Sequence, residues 1–99
     1  MPTLWESHLA TPMPDECRGA VIEEIDLAVL AADATGGLQA YYSLGRGLTP
    51  GHIARLGLCY RDLGVAGRQL TGEARAYFLR LEVLMRQALE ECAARPVAV

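Results

Sequence analysis

The side chains from which a reactive site would be built are few and scattered in this sequence. The cysteines are Cys17, Cys59 and Cys92, and the histidines are His8 and His52. An odd number of cysteines, far apart and without a Cys-x-x-Cys pair, fits neither a disulfide framework nor a zinc site. They read as reduced thiols in a cytoplasmic protein. His52 precedes Cys59 by seven residues, a rise of about 10 Å along a helix and too far for direct activation of the thiol. No nucleophile elbow, His-Glu-x-x-His or Glu-x-x-His pattern occurs. Neither a catalytic group nor a metal or cofactor site is therefore expected, and the chain leans away from being an enzyme.

Asp26 and Asp33 are the carboxylates most open to a special role. They lie seven apart, on a helical face shared with Ile22, Val29 and Gly36. A carboxylate inside an apolar stripe needs a partner, because an unpaired buried charge is strongly destabilising. The two are expected to form a polar network, ion-paired to arginines of later helices. A small enzyme or ligand-binding bundle would instead gather Asp26 and Asp33 with Tyr41 or Tyr60 around a core pocket.

The stretch GRGLTPGHIARLG, residues 45–57, has glycines at a spacing that imitates a phosphate-binding loop. A dinucleotide fingerprint requires a strand before it and a parallel strand beyond, and a Walker loop requires GxxxxGK followed by Ser or Thr. Neither context is present. The residues fit a corner between helices: Gly45 or Gly47 to end one, Thr49 as N-cap, Pro50 in the first turn, and Leu48 with Ile53 as a hydrophobic staple. The Ile-Ala-Arg-Leu-Gly string resembles part of a DNA-binding helix-turn-helix over a few residues only, since its helical period continues through Tyr60 and Leu63.

The elements follow from periodicity. Residues 1–14, rich in proline, read as an irregular lead-in, either docked by a short turn through Trp5 and Leu9, which are four apart, or frayed. A helical pattern runs from 15 to 44, apolar all round and thus buried on more than one side. Gly36 and Gly37 within it predict a kink, a break or a very close helix contact. A second helix is expected over 50–65, with Ile53, Leu56, Tyr60 and Leu63 inward and Gly57 and Gly64 as a smooth flank. A third runs over 72–94 behind Thr71, its core stripe including Ala74, Tyr77, Phe78, Leu81, Leu84, Met85 and Ala88, with Leu89 and Cys92 continuing it. Glu82 and Arg86 are spaced for an ion pair. Residues 15–95 thus form one all-α domain, an antiparallel three-helix bundle with a short tail over 96–99.

Composition bounds the function. The 99 residues are 52% hydrophobic, more than one small core readily absorbs. The surplus apolar positions, Leu27 and Leu38 on the first helix, Leu58 and Val65 on the second, Leu79 and Val83 on the third, are the expected interface of a homodimer. All nine basic residues are arginine, which suggests a GC-rich bacterial genome. Net charge is −3, with acids concentrated in residues 1–44 and arginines in 45–86. No apolar run is long enough to span a bilayer. The expected function is that of a small cytoplasmic interaction protein, an adaptor, accessory subunit or regulatory binder. Nucleic-acid binding by the arginine-rich half is the alternative; Arg55, Arg61 and Arg68 do not share a face, which weighs against it.

Overall fold

A computed structural model describes residues 3–43 and 48–94. The fold is all-α apart from one two-stranded ribbon. The tail at 96–99 and the proposed helix-ending glycines Gly45 and Gly47 lie outside the described residues.

Helix α1, Leu4–Leu9, falls within the stretch expected to be irregular. Its cause is local. The Thr3 hydroxyl accepts from Glu6 N at 3.1 Å while the Glu6 carboxylate accepts from Thr3 N at 3.1 Å, a reciprocal capping box that satisfies two otherwise orphan donors. Trp5 then stacks on Tyr42 with ring centroids 5.2 Å apart, holding α1 to the body.

The expected long first helix does not begin at residue 15. A 3-10 turn, Asp15–Cys17, is followed by strands β1, Val21–Ile22, and β2, Ile25–Asp26, paired antiparallel with Val21 opposite Asp26 and Ile22 opposite Ile25. Glu23 and Glu24 both take positive φ, 48° and 68°, which is the backbone of a two-residue hairpin whose twist matches its strands. That conformation disfavours a residue with a Cβ by about 1–2 kcal/mol. Gln69 Nε2 donates to Glu23 Oε2 at 2.9 Å, tying the turn to the C-terminal cap of the helix over Pro50–Arg68.

Asp26 then starts helix α2, Leu27–Ser43, its Oδ1 accepting from Ala28 N and Val29 N at 3.0 and 3.2 Å. The helix passes through Gly36 and Gly37 unbroken. Of the three expectations for that pair, the close contact holds: a Cβ on Gly37 would lie 2.5 Å from Leu56 Cδ2.

Helix α3, Pro50–Arg68, begins as expected, with the Thr49 hydroxyl accepting from His52 N at 3.3 Å and proline in the first turn. It runs three residues past the expected end at 65. Helix α4 is Gly72–Ala94. Residues α2, α3 and α4 contribute to the core are Leu27, Leu30, Ala31, Ala34, Leu38 and Tyr41, then Leu56, Cys59, Leu63 and Ala66, then Ala74, Tyr77, Phe78, Leu81, Leu84, Met85 and Ala88. The three long helices pack pairwise on one another, and α1 lies on α4. On α4, Arg86 pairs with Glu90 at 3.6 Å, the i,i+4 partner opposite to the expected Glu82.

Candidate functional site

The start of α2 at Leu27 decides which of its two apolar faces is inside. Leu27 and Leu38 are fully buried in the monomer, so neither belongs to a free interface. The face bearing Val29, Asp33 and Gly36 is the outer one. Asp26 is exposed and occupied as the helix cap. Asp33 is exposed and makes no ion pair or hydrogen bond among the described residues. The expected buried network of these two aspartates is therefore replaced by two solvated carboxylates with separate surroundings.

Along that outer face α2 and α3 enclose a cleft of about 280 Å³. Its floor is Ala32, Gly36, Gly37 and Ala40, small enough to let the two helices approach, and its walls carry Asp33, His52, Arg55 and Cys59. An adjoining hollow of about 310 Å³ shares Asp33, Arg55 and Cys59 and extends to Glu24, Asp26, Val29, Leu58 and Asp62. Val29 and Leu58 stand 55% and 56% exposed at its edge, well above what a packed helix face shows. Val65, further along α3, is half-buried. On α4, Leu79 is 49% exposed and Val83 half-buried.

The groups in the cleft are poorly set for covalent chemistry. Burial, reinforced by the nearby charges of Asp33 and Asp62 and only partly opposed by Arg55, pushes the Cys59 thiol above its ordinary range. It is held protonated, the opposite of an activated nucleophile. His52 Nδ1 lies 3.0 Å from the Thr49 hydroxyl, as part of the helix cap. Among the described residues no group of three His, Cys, Asp or Glu is placed to hold a metal ion. Tyr41, proposed for a core pocket, donates its hydroxyl to Glu91 at 2.6 Å instead.

His8 forms a second polar centre, one that its sequence position does not announce. It is 2% exposed. Its ring lies against Tyr77 with centroids 4.6 Å apart, and Arg80 Nε donates to its Nδ1 at 3.5 Å. Arg80 also sits over the Tyr77 ring, 5.9 Å from its centroid. Among the described residues, His8 Nε2 is buried without a hydrogen-bond partner. Burial, and secondly the charge of Arg80, lower the His8 pKa, and burial raises that of Tyr77. Both rings are thus neutral at pH 7.

The chain matches no protein-family model, no curated protein and no solved structure. Among the described residues, no helix is long and apolar enough to cross a membrane.

Proposed function

We propose that this chain is a small cytoplasmic interaction protein, an antiparallel helical bundle that assembles as a homodimer and acts through exposed apolar helix faces. The observation that carries this reading is the half-exposure of Val29, Leu58 and Leu79 on continuous helices whose opposite faces already fill the core. Large apolar side chains in rimmed patches mark association surfaces.

The outer face of α4 suits the homodimer. Leu79 and Val83 lie within a rim of Arg75 and Arg86 mixed with Glu82 and Glu90. A two-fold contact places the same patch on both subunits, and a rim of both signs opposes unlike charges across such an axis. Absolute mass by light scattering across a dilution series tests this. The wild type is expected to have twice the chain mass, and Leu79→Arg to have the chain mass with an unchanged helical circular-dichroism signal. A monomeric wild type refutes the homodimer, and an undiminished mass in the variant removes Leu79 from its interface.

A further inference from the structure

We infer that the α2–α3 face is the seat of a basic amphipathic helix from a different protein. The inference rests on the reading of the chain as an interaction protein and names the partner of one of its faces. Three features combine. Val29 and Leu58 are apolar anchors on facing helices, each more than half exposed. The groove beside them is floored by Ala32 and Gly36, and a Cβ at Gly36 would meet nothing within 4 Å. The shape is thus an open trough with low walls, into which a helix can lay apolar side chains spaced by one turn.

Charge decides the occupant. The hollow around Val29 and Leu58 is lined by the carboxylates of Glu24, Asp26, Asp33 and Asp62 against the single guanidinium of Arg55. Asp62 is shared with Arg61 at 3.6 Å, and Asp26 caps its helix, which leaves Glu24 and Asp33 as the carboxylates most open to an incoming cation. A second copy docked by this same face would oppose carboxylate to carboxylate. Nor does the outer face of α4 supply a basic partner from another copy, because Arg75 and Arg86 there are balanced by Glu82 and Glu90. Nucleic acid and anionic lipid are repelled by the same rim. A helix with leucine-like anchors flanked by arginine or lysine satisfies both the apolar trough and the acidic rim, and complementary charge gives it orientation and a fast encounter.

The test uses a fluorescent synthetic helix of about five turns, with leucines along one face and arginines beside them, and a twin carrying glutamates in place of the arginines. Binding to the full chain is followed by anisotropy at low and high salt. The arginine helix is expected to bind at least about tenfold more tightly than its twin, with affinity falling as salt screens the rim. Leu58→Ser should abolish most of the binding. Asp33→Asn and Glu24→Gln should each weaken it by about two- to fivefold, the range of exposed ion pairs. These positions are on the surface, so unchanged circular dichroism accompanies each loss. Equal affinity for the two helices, no saturable binding, or indifference to Leu58→Ser overturns the inference. A doubled mass that disappears in Leu58→Ser would instead place a second copy on this face and also overturn it. Light scattering on the same samples separates the two readings: a dimer that ignores the arginine helix sinks only this inference, and a monomer that binds it sinks only the homodimer.

Discussion

Replacing His8 by leucine is expected to make the protein more stable, and increasingly so as the pH falls. Since Arg80 Nε donates to Nδ1, the ring proton is on Nε2, which is a buried donor with no acceptor among the described residues. An unmet buried donor costs about 1–3 kcal/mol. The Arg80 contact, at 3.5 Å, is at the outer limit of a hydrogen bond and returns only about 0.5 kcal/mol. Leucine has a similar volume, removes the orphan and keeps an apolar surface against Tyr77, at the cost of the ring-on-ring contact. A net gain of about 1 kcal/mol follows, which for a domain of this size raises the melting temperature by about 5 °C.

The pH dependence follows from the direction of the His8 shift. In the unfolded chain the imidazole titrates near 6.5; in the folded chain burial and Arg80 hold it lower. Above 6.5 both states are neutral at this site and it adds no pH dependence. As the pH falls through 6.5 the unfolded chain takes up a proton that the folded chain refuses, so wild-type stability drops by up to about 1.4 kcal/mol per pH unit until the folded-state pKa is reached. Leucine cannot titrate, so its advantage, about 1 kcal/mol at pH 7.5, widens as the pH falls below 6.5. Urea unfolding of both proteins at the two pH values reads the difference. A variant less stable at pH 7.5, or curves whose separation does not widen on acidification, would refute the assignment of His8 as a strained buried donor.

The adjacent glycines of α2 should respond in opposite senses. Gly36→Ala meets open space and gains about 0.5–1 kcal/mol from helix propensity; Gly37→Ala pushes on the buried Leu56 side chain, and overpacking of about 1–3 kcal/mol outweighs that gain. Equal urea midpoints for the two variants would show that the Leu56 side chain does not resist a Cβ at Gly37. Thr49→Ala removes the hydroxyl that caps α3 and should lower stability by about 1 kcal/mol. A midpoint unmoved from wild type would remove the cap from the account.

The second half of the fold was readable because its signals are local and redundant. Thr49 and Pro50 mark the start of α3, and the α4 stripe from Ala74 to Ala88 is repeated often enough to leave one solution. Residues 15–26 misled for a geometric reason. Ile22 and Ile25 are three apart, which puts two side chains on one face of a helix, but it also makes them cross-strand partners in a two-residue hairpin. Glycine, asparagine or aspartate at the turn would have told the two apart, and Glu23 and Glu24 do not. The Thr3-to-Glu6 spacing is a capping-box pattern that marks the start of α1, a signal that is passed over when the prolines of residues 1–14 are read as irregular chain. His8 is different: its burial depends on Tyr77 and on Arg80, 72 residues further along the chain.

Charge placement resolves the ambiguity that apolar content leaves open. Two apolar faces on α2 looked equally able to enter the core, and only one carries a carboxylate, Asp33, in its middle. Burying that face would require desolvating the charge, whereas the opposite face, from Leu27 to Tyr41, buries hydrocarbon and one anchored hydroxyl. The same logic sorts the faces left outside. An apolar patch with mixed charges, as around Leu79, is complementary to itself, whereas one with an excess of carboxylates, as around Leu58, is not. On these grounds α4 is the face proposed for self-association, and the α2–α3 face the one proposed for a partner of opposite charge.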